Sequence, residues 1–198
     1  MSIFPRIYDL FMESGERGLV GRLRHAVVWP SRGRVLEIGA GTGLDFSHYA
    51  PGTWVVATDP DLHMLRRARP RTLHAAGSIV LVAADAEALP FRDGAFDDGV
   101  VGLAMCTIPH PERALAELRR AIRLGGTVRL LEHVRMESPL LGRLQDWLTP
   151  FWRRIAGGCR LNRRTVEAVA ASGFRLVSVV PHLGGYVQAI VARNGKRP

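Results

Sequence analysis

The chain has 198 residues, enough for one sizeable core, and its near-zero mean hydropathy is that of a globular domain. No apolar run approaches a membrane span, and MSIFPRIYDLFMESGER interleaves charges too early for a signal-peptide core, so a cytoplasmic location is expected. The formal charge of +9 is almost wholly arginine, with Lys196 the single lysine; acids alternate with it, as in Glu112, Arg113, Glu117, Arg119 and Arg120, which favours a solvated surface over a nucleic-acid or anionic-lipid site.

In chain order, Ile3, Phe4, Ile7, Tyr8, Leu10 and Phe11 recur at helical spacing, as do Leu19, Val20, Leu23 and Val27. Residues 1–30 therefore read as two helices ahead of a sheet. Short β-rich runs then alternate with helical ones: RVLEI and GLDFSHYA, TWVVAT and DLHMLRRAR, SIVLVAA and a short ALPF turn, DDGVVGLA and PERALAELRRAI, then TVRLLEHV. Repeated βα punctuation implies a parallel sheet with helices on both faces. The end differs. NRRTVEAVAASG is a helix with Asn162 as cap and Gly173 as stop, and FRLVSVV and YVQAIVA, joined only by PHLGG, must pair as an antiparallel hairpin. The whole chain, 1–198, reads as one Rossmann-like α/β domain with a seven-stranded, mostly parallel sheet, a reversed last strand, and a lid-like segment at 135–162.

The first strand runs into glycines at every second position, VLEIGAGTG, with Glu37 inside the strand and Gly39, Gly41 and Gly43 after it. A strand feeding such a turn presents backbone N–H groups to a polar ligand at close range. The dinucleotide spacing would put the third glycine where Leu44 stands. Asp59, twenty positions after Gly39, closes the second strand, where its carboxylate can accept both hydroxyls of a ribose. The third strand ends in AADAEALPF, offering Asp85 to an exocyclic adenine amine and the Ala86 backbone to a ring nitrogen, with Pro60 and Met64 placed to sandwich the ring. The ligand so described has an adenine, a ribose and a polar group beyond it.

With VLEIGAGTG, TDPDLHML, AADAEALPF, FDD and ERALAELRRAIRLGG, nearly the whole chain resembles the class I S-adenosylmethionine-dependent methyltransferases, and among them the methyltransferase type 11 branch. Leu124 stands where that family usually has proline in a turn. The resemblance implies S-adenosyl-L-methionine as cofactor, with Gly39, Ala40, Gly41 and Gly43 along the methionine and ribose, Asp59 on the ribose hydroxyls, and Asp85 and Ala86 on adenine. It further implies that Glu37 orients the loop and reaches the cofactor, that Leu103 and Ala104 flank the methionine part, and that Tyr8 closes the pocket.

Methyl transfer from a sulfonium is an in-line displacement in which positive charge disappears, so alignment and a dry pocket are the main requirements. An acceptor with a proton needs a base. The groups at the ends of the fourth and fifth strands are Cys106, Thr107, His110, Glu132 and His133, of which His133 and then His110 are the candidate catalytic residues. Cys106, after an apolar run, reads as a small core filler. It stands far from Cys159 with no CxxC or Cys/His cluster in the sequence, so neither a disulfide framework nor a metal is expected. The loop after strand four reads MCTIPHPE. Enzymes that methylate exocyclic amines of adenine or glutamine side chains resemble one another in an Asn/Asp-Pro-Pro-Tyr/Phe loop there, and this chain departs from that pattern.

In PLLGRLQDWLTPFWRRIAGG, residues Leu140, Leu141, Leu144, Trp147, Leu148, Phe151, Trp152 and Ile155 form one helical stripe, with Pro150 expected to interrupt the helix or to begin a second one capped by Thr149. Three roles stand open for 139–156: packing on the core, roofing an apolar substrate pocket, and peripheral contact with a membrane. The following GGCRLNRRT, with LEHV upstream, resembles the branch of alkyl-thiol methyltransferase-like proteins. That resemblance implies a small, partly apolar acceptor methylated on a heteroatom, with thiol sulfur first and then nitrogen or oxygen. The alternatives are a phospholipid amine methyltransferase and, from another class, an RNA-binding methyltransferase or a non-catalytic cofactor-binding module.

Overall fold

The computed structural model describes residues 18–195. Its sheet has seven strands in the order β3-β2-β1-β4-β5-β7-β6. They are β1 (Arg34–Ile38), β2 (Trp54–Asp59), β3 (Ser78–Ala83), β4 (Phe96–Gly102), β5 (Ile122–His133), β6 (Phe174–His182) and β7 (Val187–Asn194). The first five are mutually parallel, and β7 runs antiparallel to both β5 and β6. This is the mostly parallel sheet with one reversed strand that the βα punctuation and the closing hairpin imply. Among the described residues the sheet is joined by helices α1 (Leu19–Val28), α2 (Leu62–Thr72), α3 (Pro111–Ala121), α4 (Pro139–Ile155) and α5 (Thr165–Ala171), with short 3-10 helices at Phe46–His48 and Leu183–Gly185. None is long and apolar enough to cross a membrane. The helical pattern at 3–11 lies outside the described residues.

Strand alternation divides the core between two faces. On β1, Leu36 and Ile38 join the cluster that holds Leu115 and Leu118 of α3, whereas Val35 joins Phe46, Tyr49 and Ala68 on the other side. Glu37 is fully buried too, although it is charged by type.

Three expectations are corrected. GLDFSHYA is a turn ending in a short 3-10 helix, Phe46–His48, because Gly41 and Gly43 hold positive φ and Pro51 follows too soon for α-helical turns to accumulate. Asn162 does not cap α5; its amide donates to Asp146 of α4 at 2.9 Å, and Arg164 stands at the helix start without a side-chain cap bond. Gly173, at φ +88°, ends that helix as expected.

The third concerns α4, which runs unbroken through Pro150. The hydrogen bond that proline removes would have ended on the Asp146 carbonyl, and both residues are exposed, so water can take the donor's place. The apolar stripe does not pack on the core either. Leu140 is 77 % exposed, Trp147 66 %, Phe151 59 % and Ile155 72 %. The face turned inward is polar and small: Gly142, Gln145 and Thr149. Gln145 fixes the helix by donating to the Val134 and Leu161 carbonyls (3.0 and 2.9 Å) and accepting from Met136 N–H (2.7 Å). Arg135 adds an ion pair to Asp146 at 2.9 Å.

Candidate active site

Register places the carboxyl ends of β1 to β5 along one edge of the sheet, the edge at which parallel α/β sheets bind ligands. A concavity of about 640 Å³ lined by Asp93, Arg119, Arg123 and Asn194 lies at the opposite end, beside the start of β5, and plays no part in the site.

The glycine loop is fixed from several directions. Ala40 N–H donates to the Thr58 carbonyl at 2.9 Å, and the Thr58 hydroxyl donates to the Glu37 carbonyl at 2.9 Å. Gly41 N–H reaches Asp59 Oδ2 at 2.9 Å, while Asp61 N–H reaches Oδ1 at 2.8 Å. Burial raises the Asp59 pKa, opposed by these two donors. Each oxygen keeps a second lone pair for a hydroxyl. A Cβ on Gly39 would come within 2.3 Å of the Ala104 Cβ, so the glycine and β4 loops touch; one on Gly41 would meet nothing within 4 Å.

Beneath the loop, Arg24 of α1 bonds Asp45 at 2.8 Å in a buried ion pair. A Cβ on Gly102 would lie 2.2 Å from Asp45 Oδ2. Glu37 Oε2 accepts from the Tyr49 hydroxyl at 2.8 Å, and Glu37 Oε1 is buried without a hydrogen-bond partner. Burial, then the nearby Asp45 charge, raise the Glu37 pKa well above the carboxylate range.

At the end of β4, Leu103 occupies the left-handed region at φ 56°, a conformation that costs a non-glycine residue about 1 kcal/mol or more and persists only where its surroundings impose it. Glu132 of β5 imposes it. One carboxylate oxygen accepts from Ala104 N–H and Met105 N–H, both at 2.8 Å, and Leu103 N–H donates to the Leu131 carbonyl at 2.7 Å. Burial pushes the Glu132 pKa up to about 7.

His133, the next residue, is half-buried and stacked on Tyr186, with centroids 5.5 Å apart and planes 6° from parallel. Its Nε2 lies 3.0 Å from Cys159 Sγ, which also receives the Trp152 indole N–H at 3.2 Å. Cys106 Sγ completes the group: Cys106, His133 and Cys159 present donor atoms all within 4.8 Å of one another. The expectation that the cysteines stand apart from any Cys/His cluster is thereby corrected, because the loops after β4 and α4 converge on the end of β5. Its hydrogen bond from Cys106, and then from His133, bring the Cys159 thiol down to about 4 against burial. The same bond and burial push Cys106 well up. Burial lowers the His133 pKa, but the Cys159 and Glu132 contacts outweigh it and leave it raised.

The other expected residues divide clearly. Gly39, Ala40, Gly41, Gly43, Glu37, Asp59, Leu103 and Ala104 come together at the ends of β1, β2 and β4. Pro60 and Met64 stand at the head of α2, and Asp85 and Ala86 follow β3, with Asp85 accepting from Glu87 N–H at 2.9 Å. Tyr8 lies outside the described residues. His110 is exposed at the head of α3, its ring 3.4 Å from Glu112, and belongs to a separate group from His133. Arg24, Asp45, Tyr49, Trp152 and Tyr186 were not foreseen as site residues; each acts through a partner in another element or loop.

Fold and glycine loop together are those of a nucleotide-binding α/β protein. A model of the methyltransferase domain family matches residues 36–130. Thiol S-methyltransferase TMT1A of Homo sapiens is 30 % identical over 199 aligned positions, spanning 92 % of this chain and 82 % of that protein. Phosphatidylethanolamine N-methyltransferase of Cereibacter sphaeroides is 35 % identical over 121 positions, 60 % of each. In three dimensions, an S-adenosylmethionine-dependent methyltransferase from Mesorhizobium loti superposes with TM-score 0.65 at 20 % identity, covering 89 % of this chain and 99 % of that one. The [4+2]-cyclase SpnF does so at 0.66 and 18 %, covering 88 % and 79 %, so the fold by itself does not choose a reaction. The chain belongs to the class I S-adenosylmethionine-dependent methyltransferases, and its cofactor is S-adenosyl-L-methionine. The residues present fit that cofactor. The unpartnered Glu37 Oε1 and the open space at Gly41 suit a polar ligand laid along the loop, and Asp59 suits its ribose.

Proposed function

We propose that the protein transfers the methyl group of S-adenosylmethionine to the sulfur of a small, partly apolar thiol. The observation that carries this reading is the similarity to a thiol S-methyltransferase along 92 % of the chain. The site supports it chemically. A thiol is a poor nucleophile until it loses its proton, and a His133 ring nitrogen and the Trp152 indole N–H converge on a sulfur beside the β4 loop. With no cation bound, the His133–Cys159 pair, joined through Nε2 and Sγ, is the candidate acceptor of that proton. Glu132 and Leu103 hold the loop that aligns the methionine end, which is where an in-line displacement gains its rate. The test is release of S-adenosylhomocysteine with an alkyl thiol against the matching alcohol and amine. Turnover confined to the thiol is expected; turnover with the amine alone would sink the reading.

The outward apolar face of α4, with Arg143, Arg153 and Arg154 exposed beside it, favours a second reading, in which the acceptor is a phospholipid amine at a membrane surface. Activity would then require vesicles, and Trp147 fluorescence would change on adding them.

A further inference from the structure

We propose that Cys106, His133 and Cys159 form a binding site for a thiophilic divalent cation of the zinc class, with one coordination position left open for the acceptor thiolate. The open position rests on the thiol reading above; the cation site does not.

The three residues come from separate segments, and each is held by contacts other than the cluster itself. Cys106 ends the loop clamped by Glu132, and its carbonyl accepts from Arg160 N–H at 3.0 Å. Cys159 follows Gly157 and Gly158, both at positive φ, and its N–H bonds the Ala156 carbonyl at 3.0 Å. His133 is oriented by the Tyr186 ring. Two sulfurs and one imidazole nitrogen within 4.8 Å are soft donors. Tetrahedral zinc, with bonds of about 2.3 Å to sulfur and 2.0 Å to nitrogen, requires donors about 3.5 to 3.8 Å apart, which small side-chain adjustments here would meet.

Charge points the same way. Glu132 is fully buried one residue from His133, and its Oε2 has no hydrogen-bond partner. On coordination both thiols would become thiolates beside this carboxylate, and a dication would compensate that negative charge. Three protein ligands with a free fourth position are the arrangement of catalytic zinc sites, whereas structural zinc takes four.

Position supplies the function. Cys106 lies two residues after Ala104, whose side chain abuts Gly39 of the cofactor loop. A thiol entering the fourth position would release its proton to solvent on coordination. Its sulfur would then form a bond to the methyl carbon as the bond from that carbon to the sulfonium sulfur breaks, giving the thioether and S-adenosylhomocysteine with no further proton to move.

The experiment uses the full chain, reduced and metal-stripped, titrated with Co²⁺ and read by thiolate-to-cobalt charge transfer and tetrahedral ligand-field bands. One equivalent, displaced by Zn²⁺, is expected. Cys106→Ser/Cys159→Ser should abolish the charge-transfer band, and His133→Ala should weaken binding at least tenfold, each variant being checked for retained S-adenosylhomocysteine binding. No band in the wild type, or an unchanged band in the double variant, overturns the site. Should the variants fail to fold, Zn²⁺ at a hundredfold excess over Kd should raise the wild-type Tm by roughly 5 °C or more, and no rise overturns the site. Adding an alkyl thiol to the cobalt protein should shift the charge-transfer band where the alcohol does not; an unmoved band overturns the open position. Normal cobalt binding without thiol turnover would refute the thiol reading and uphold the cation site.

Discussion

The cofactor side of the molecule and the acceptor side are built in opposite ways. Around β1 and β2 the candidate cofactor surface comes from two short runs and is largely backbone: Gly39 to Gly43, with Asp59 anchored on Gly41 and Asp61. Around β5 and α4 the proposed acceptor surface consists of side chains from separate segments: Cys106, His133, Trp152, Cys159 and Tyr186. A cofactor shared by many enzymes can be held by one local motif. An acceptor specific to one enzyme is met by side chains that only the fold assembles.

The largest effect should come where the acceptor side is fastened to the sheet. Gln145→Leu strands the Met136 N–H and the Val134 and Leu161 carbonyls, at a cost of about 3 kcal/mol. Hydrogen exchange should rise first over 139–155, with the glycine loop still protected; uniform loss of protection would break the division into two independent sides.

On the cofactor side, Asp59→Ala removes a carboxylate suited to the ribose and should weaken S-adenosylmethionine binding by about ten- to a hundredfold by calorimetry, since hydrogen bonds to charged groups contribute about 1.5 to 3 kcal/mol. Unchanged affinity would show that the ribose lies elsewhere.

A smaller effect follows from pH. The folded pKa of Glu37 is raised by burial, so its contribution to stability is greatest below the unfolded value of about 4.3 and is lost as pH rises through the folded pKa. Glu37→Gln keeps an oxygen for the Tyr49 hydroxyl and removes the titration. In the apoprotein, the variant's stability relative to wild type should therefore improve steadily as pH rises; a difference independent of pH would contradict the buried-acid account.

The smallest effect belongs to the outer face of α4. Trp147→Ser and Phe151→Ser should each change stability by no more than about 0.5 kcal/mol, because both side chains are largely exposed. A loss of several kcal/mol would mean that this face is covered in solution, and would remove the contrast between the helix's two sides.

Much of the fold was legible because strands and helices of a βα unit carry period-2 and helical patterns over short windows, and the glycine loop because close backbone approach needs those residues in that order. The apolar stripe of α4 was legible as a stripe but not as an outward face. Amphipathicity says that two faces differ; which one meets the sheet was settled by Gln145 finding three backbone partners. Pro150 was similarly misleading, since the cost of its missing donor depends on whether water reaches Asp146.

The sequence by itself marked the candidate cofactor half, from VLEIGAGTG through Asp59, because a strand, its glycine turn and the next strand's closing acid are short local patterns. Only the tertiary structure decided the rest: that Glu132 clamps the β4 loop, that Arg24 is buried against Asp45, and that Cys106 and Cys159 meet at His133. Those contacts join residues 21 to 53 positions apart, and no local pattern encodes a distance that the sheet order and the path of α4 set.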